Sequence, residues 1–264
     1  MKPTNCSQAS ETVKNVIRVL RDDPSFPVVD ELLSLGAKMT PSEGDQFVDD
    51  TPELHEISKL AANQYNDYIL RSENEEVASL LTAEHRRESG LGNAVNEFGK
   101  QAYSRVDGLF DRFDFEDCRR FVLVGCGSLP VTMFQVLDNT NVPEIVGLDI
   151  RPDAVQSANA IFEKDGLNRA KAVQSDGHSF DYAGADIVYV ANMVSPKLRV
   201  LERILETASE TVQIVLRDPY SFGRLWTERG EDALDERFEV LDYGPPSPAY
   251  FSRDVYIRAA TRSA

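Results

Sequence analysis

Residues 121–150 read FVLVGCGSLPVTMFQVLDNTNVPEIVGLDI, and the fold follows from them. Residues 121–125 are a short apolar run ended by glycine, the pattern of a parallel strand buried on both faces. Residues 130–138 have helical spacing, and 144–150 form a second apolar run. Strand, tight glycine turn, helix and strand make one βαβ unit with a right-handed crossover. Downstream the alternation repeats: a helix over 152–166 stopped at Gly166, a strand over 170–176 and a strand over 185–194. A helix over 195–208, opened by Ser195 and Pro196, and a strand over 211–218 follow. Two further strands, 237–244 and 252–260, have no helix between them. The whole predicts an α/β doubly wound sheet with an antiparallel strand at one edge. Its strand ends at Gly125, Asp149, Asp176 and Asn192 then line one rim, where such sheets take ligands.

The N-terminal 117 residues read differently. Val13, Ile17 and Leu20 recur at helical spacing, and Pro24 stops that helix; a second helix covers 28–35, closed by Gly36. KMTPSEGDQFVDDTPE (38–53) is acidic and rich in turn formers, and is expected to be loop. Thr51-Pro52-Glu53 is a competent helix start, and helical patterning runs on through Ile57, Leu60, Ala61, Tyr65, Ile69, Val77, Leu80 and Leu81. Another amphipathic stretch covers 94–113. The chain thus divides into an all-helical region, 1–117, and the sheet region, 118–264.

The chain has 264 residues, 42% apolar and 27% charged, which is globular composition. Its net charge is −16. An excess of acid disfavours nucleic acid as a partner, because phosphate contacts need a Lys/Arg-rich face, and disfavours an anionic membrane for the same reason. No apolar run approaches the roughly 18 residues of a membrane helix. The first residues lack the apolar core of a signal peptide. Three scattered cysteines (Cys6, Cys118, Cys126) and three histidines (His55, His85, His178) form neither a disulfide framework nor a metal-ligand spacing. The expectation is a soluble, cytoplasmic protein without a metal. Its acidic helices can serve as plain surface, as a lid or as a homodimer interface.

The rim residues suggest a ligand. In Gly125-Cys126-Gly127-Ser128-Leu129-Pro130 the glycines permit close approach to the backbone, and the helix that follows offers free N–H groups. A dinucleotide fingerprint needs a third glycine where this chain has Pro130, so a pyrophosphate is disfavoured. Asp149, followed by Ile150, ends the second strand where a carboxylate can accept ribose hydroxyls; its plain alternative is a cap before Arg151-Pro152. Asp176-Gly177 ends the third strand where an acid can take an adenine amino group, although Asp-Gly is also a turn dipeptide. Three such positions in register favour an adenosyl ligand without a pyrophosphate.

This arrangement resembles the class I S-adenosylmethionine-dependent transferases, and more closely the nicotianamine-synthase-like enzymes. The first loop of that family reads Gly-x-Gly, a small residue, Leu and Pro, as residues 125–130 do here. VYVANMV (188–194) is similar to its fourth strand, VLRDPYSFGRLW (215–226) to its fifth strand and arginine loop, and FEVLDYGPPSPAYFSRDVYIRA (238–259) to its closing hairpin. The likeness spans roughly 70–260. It implies a Rossmann-like class I methyltransferase sheet under an N-terminal all-helical cap, with S-adenosyl-L-methionine as substrate. Implied contacts are Gly125, Cys126, Gly127, Ser128, Leu129, Asp149, Ile150, Asp176, Gly177, Asn192, Met193 and Arg217, the last holding the carboxylate of the amino-acid tail or pairing with a surface acid.

The resemblance implies transfer of the 3-amino-3-carboxypropyl group to a small amine with release of methylthioadenosine. It also implies a glutamate on one cap helix and a tyrosine just before the first strand, for which spacing selects Glu76 and Tyr103 as catalytic candidates. Glu75, Glu84 and Glu97 compete with Glu76, and composition alone favours a solvated helix face for each of the four. Tyr103 can equally be a core aromatic, and Trp226 is assigned to packing. The family's Pro-Tyr-Tyr-x-Asn-Tyr run is here Glu97-Phe98-Gly99-Lys100-Gln101-Ala102-Tyr103 and keeps only the last aromatic. The acceptor therefore stays open between an external amino acid and none at all, with S-adenosylmethionine closing on itself to azetidine-2-carboxylate. Methyl transfer to a small molecule and a non-catalytic binding protein are the further alternatives.

Overall fold

The computed structural model describes residues 5–23, 25–82, 97–104, 107–113, 115–247 and 250–260. Glu84, His85 and Pro248 lie outside them. The helical half comprises α1 (Asn5–Asp22), α2 (Val28–Gly36), α3 (Pro41–Asp49), α4 (His55–Thr82), α5 (Glu97–Ser104) and α6 (Asp107–Arg112). It is followed by β1 (Arg120–Val124), α7 (Val131–Asn139), β2 (Glu144–Asp149), α8 (Pro152–Asp165), β3 (Ala170–Gln174), β4 (Ile187–Val190), α9 (Lys197–Thr207), β5 (Gln213–Pro219), β6 (Phe238–Tyr243) and β7 (Ser252–Ala259).

The seven strands lie in the order β3-β2-β1-β4-β5-β7-β6. β1 to β5 are parallel, and β7 runs antiparallel to both β5 and β6. The antiparallel strand is therefore one place in from the edge, because the 237–260 hairpin docks by its second strand. Side chains of the parallel strands alternate between two cores. Phe121, Leu123, Ile145 and Tyr189 face α7, α8 and the lower half of α4, while Val122, Val124, Val146 and Val190 face α9. Burial on both faces is why these strands are unbroken apolar runs.

One stretch expected as loop is helical. Thr40 caps α3: its hydroxyl accepts the Glu43 N–H, the Glu43 carboxylate accepts the Thr40 N–H, and Pro41 opens the helix. This reciprocal pair satisfies N–H groups that a helix start otherwise leaves bare. It outweighs the turn-forming Ser42, Gly44 and Asp45.

Apolar packing does not divide at residue 117. Val13, Val28, Leu32, Phe47, Ile57 and Tyr65 of the first four helices share a core with Tyr220, Phe222, Trp226 and Phe251, which belong to loops of the sheet half. Arg224 ties the same loop to α3 through Asp45 and Asp49. Among the described residues no helix is long and apolar enough to cross a membrane.

Candidate active site

Register brings the expected rim together. Val124 pairs with Leu148 and with Val190, and Asp149 pairs with Gln174. Gly125, Asp149, Ser175 and Ala191 thus emerge side by side at the carboxyl edge of the sheet. Ile150 and Met193 stand on it as exposed apolar side chains, 67% and 37% accessible.

The glycine loop is tightly held. Gly125 and Gly127 have φ of +78° and +68°, a backbone that side-chain-bearing residues rarely adopt. The N–H groups of Gly125 and Cys126 both donate to the Leu148 carbonyl, at 2.7 and 2.9 Å. The Gly127 N–H donates to Asp149 Oδ2 at 2.8 Å, and the Arg151 N–H to Asp149 Oδ1 at 2.9 Å. Asp149 therefore knits the loops after β1 and β2, and each carboxylate oxygen keeps a further lone pair for a hydroxyl.

Above the loop lies a carboxylate that spacing did not select. Glu73 of α4 accepts the Ser128 N–H through Oε2 at 3.2 Å. A Cβ placed on Gly127 would fall 2.8 Å from Glu73 Oε1, so only glycine lets the carboxylate rest there. Arg151 lies 3.8 Å from Glu73 Oε2 and donates to Ser128 Oγ at 3.3 Å. Glu76, the expected candidate, is one helical turn further on and buried, and Glu75 points outward. The sequence does carry a signal for Glu73. Ile57, Ala61, Tyr65 and Ile69 recur every four residues along α4, and the next position in that inward stripe is Glu73.

Other expected residues fall elsewhere. The Tyr103 hydroxyl donates to Asp138 Oδ2 at 2.8 Å. Asp138 lies seven residues into α7, about 10 Å along the helix from the glycine loop. Tyr103 is therefore a packing and hydrogen-bonding residue at the far end of α7, not part of the rim. Cys126 is turned into the core, where a Cβ at Gly147 would meet its Cβ at 2.8 Å, and burial pushes its thiol well above the usual range. Leu129 is likewise core. Ser128 is buried, its N–H given to Glu73 and its Oγ accepting from Arg151. Arg217 is buried in the sheet, with Nη1 3.0 Å from Asp254 Oδ1 and Nε donating to Ser252 Oγ at 3.1 Å. It secures β7 to β5, the pairing role allowed for it, although its acid is buried and not on the surface. Trp226 packs as expected, stacked on Tyr65 with ring centroids 4.9 Å apart.

Asp176 does the work of a turn acid: Oδ1 accepts the Ser179 N–H and hydroxyl at 3.0 and 2.7 Å, and Oδ2 lies 3.1 Å from His178 Nε2. The Ser179 hydroxyl holds its pKa below the ordinary carboxylate value, so it stays ionised at the rim. Asn192, at the end of β4, is only 8% exposed, and its Oδ1 has no hydrogen-bond partner.

No protein-family model matches the sequence, and no curated protein matches it either. The backbone does match solved structures. A glutamate-to-glutamine mutant of the nicotianamine synthase MtNAS, in complex with S-adenosylmethionine, aligns over 95% of this chain and 98% of its own, at 18% identity and a TM-score of 0.79. The fold is that of nicotianamine synthase. A second MtNAS structure, in complex with MTA and tNA, gives a TM-score of 0.76 at 16% identity over 97% of each chain. The mitomycin 7-O-methyltransferase MmcR follows at a TM-score of 0.51 and 17% identity, over 90% of this chain and 73% of that one. The nicotianamine synthase likeness includes the helical half.

Proposed function

We propose that this protein is an S-adenosylmethionine-dependent 3-amino-3-carboxypropyl transferase acting on a small amine or amino acid. The observation that carries the reading is the Glu73 carboxylate resting on the glycine loop. It puts a base beside the backbone over which the donor's amino-acid tail would run. The fold shared with MtNAS, one of whose structures holds S-adenosylmethionine and another MTA, supports the same donor. Asp149 would accept the ribose hydroxyls, Asp176 would face the adenine amino group, and Ile150 and Met193 would flank the purine.

The reaction is an in-line displacement. The neutral amine attacks the tail carbon bonded to the sulfonium, a C–N bond forms, the C–S bond breaks, and its electron pair neutralises sulfur to give methylthioadenosine. The amine loses one proton, which Glu73 would receive. An amine is mostly protonated at neutral pH, so removing that proton in place is the protein's chief chemical task beyond positioning.

The test is to incubate the purified protein with S-adenosylmethionine, alone and then with histidine, and to identify the nucleoside by mass spectrometry. Methylthioadenosine above the uncatalysed background, with the 3-amino-3-carboxypropyl group recovered on an amine, supports the reading; azetidine-2-carboxylate formed beside it from S-adenosylmethionine alone would make the protein a cyclase. S-adenosylhomocysteine would make the protein a methyltransferase, and binding without either product a non-catalytic protein. Asp149→Ala is expected to weaken S-adenosylmethionine roughly 10- to 100-fold in calorimetry, the loss of hydrogen bonds to a charged group. Unchanged affinity would return Asp149 to its role of knitting the two loops.

A further inference from the structure

β4 ends at Val190 opposite Val124, and the Ala191 N–H donates to the Val124 carbonyl at 2.9 Å. Asn192 therefore stands beside the glycine loop, between β1 and β5. Its backbone is fixed, because the Thr227 hydroxyl donates to its carbonyl at 2.6 Å. Its side-chain oxygen is nonetheless buried with no partner. A buried acceptor left bare costs about 1–3 kcal/mol, so the Asn192 oxygen calls for a donor that the folded chain does not supply.

The placement selects which donor. If Asp149 and Asp176 take the ribose and adenine over β2 and β3, Asn192 lies two strands from β2, about 10 Å away. The hydrogen-bond donor on that side of S-adenosylmethionine is the α-ammonium of the tail. We propose that Asn192 holds this ammonium and thereby steers the reaction toward an external amine and away from ring closure. The proposal rests on the transferase reading above.

The chemistry turns on the difference between an amide and a carboxylate. An amide oxygen accepts a hydrogen bond but does not take the proton, and accepting from the charged form favours that form. The tail nitrogen, held by Asn192, stays protonated and has no lone pair to close on its own γ-carbon. The incoming amine meets Glu73, which can take its proton. One acceptor keeps a nitrogen silent, and the other sets a nitrogen free.

Asn192→Leu removes the acceptor at similar volume, and Asn192→Asp keeps one. Affinities for S-adenosylmethionine and for methylthioadenosine, which lacks the tail, are measured by calorimetry. Azetidine-2-carboxylate formed from S-adenosylmethionine alone is measured by mass spectrometry. Asn192→Leu is expected to weaken S-adenosylmethionine about tenfold, leave methylthioadenosine unchanged, and raise the yield of azetidine-2-carboxylate. Asn192→Asp is expected to restore tail binding but to raise the ring product, because a carboxylate can take the proton that the amide leaves in place. Equal losses for both ligands would reduce Asn192 to a structural residue and overturn the proposal, as would an aspartate variant that fails to restore affinity for S-adenosylmethionine. A wild-type protein that converts S-adenosylmethionine alone into azetidine-2-carboxylate overturns it too, while leaving the aminocarboxypropyl chemistry intact. A wild type that binds neither ligand, or that releases S-adenosylhomocysteine, overturns the reading beneath it.

Discussion

Glu73→Gln is expected to bind S-adenosylmethionine nearly as well as the wild type and to release methylthioadenosine about 10²–10⁴-fold more slowly, the span of a lost general base. Glutamine keeps the size of the side chain and an oxygen that can still accept the Ser128 N–H. It cannot take a proton from an incoming amine. The glycine loop should therefore stay in place while the nucleophile stays protonated. A structural Glu73 predicts the reverse, because its value would then lie in the Arg151 contact at 3.8 Å. Arg151 is about a third exposed there, so that contact is screened and contributes little. The decisive measurement is the split between affinity by calorimetry and single-turnover rate at saturating donor. A rate within a few-fold of wild type would hand the proton to another group, and Glu76, one turn along α4 and buried, is the next to test.

Glu73 also shows where sequence reading stopped. The glycine loop, its strand and the carboxylate at the end of β2 are contiguous in the chain, and local physics fixes each: apolar run, left-handed turn, helix start. They were legible at residue level. The cap carboxylate acts across a tertiary contact, and counting residues from Gly125 back to α4 carries an uncertainty larger than one helical turn. One turn is the distance between Glu76 and Glu73. Tyr103 shows the same limit, since spacing places it before β1 but says nothing of the end of α7 it meets. The helix at 41–49 is hidden on a different ground: Ser42, Gly44 and Asp45 favour turns, and the Thr40/Glu43 capping pair overrides them. The β7 insertion depends on how a hairpin docks, which alternation within strands does not encode. Asn192 was legible as a strand end, but that its oxygen is buried and bare is visible only in three dimensions.

Lys197→Met is expected to lower stability by about 3–5 kcal/mol, the range for removing one partner of a buried ion pair, and so to lower Tm by very roughly 10 °C for a chain of this size. Lys197 and Asp218 are both essentially inaccessible, with Nζ 3.1 Å from Oδ1. Burial presses each toward its neutral form, raising Asp218 and lowering Lys197, and their mutual attraction opposes that pressure. Without the lysine, Asp218 keeps the N–H groups of Gly230 and Glu231, at 2.7 and 2.9 Å, but loses its countercharge. It must then bear a buried charge or bind a proton. The second case leaves a signature in pH: the folded-state pKa of Asp218 rises further above its unfolded value. The folded chain then holds the extra proton, so the variant loses stability as pH climbs from the unfolded carboxylate range through the raised value. The deficit against wild type should accordingly shrink in mild acid. The lysine also donates to the Glu228 carbonyl at 2.6 Å and anchors the loop that carries Thr227, the residue that fixes Asn192. A loosened loop should weaken S-adenosylmethionine more than methylthioadenosine even at temperatures where the variant is fully folded. Thermal melts across pH and paired calorimetry at low temperature separate these effects. A melt displaced equally at every pH would mean that Asp218 stays charged, held by its backbone donors alone.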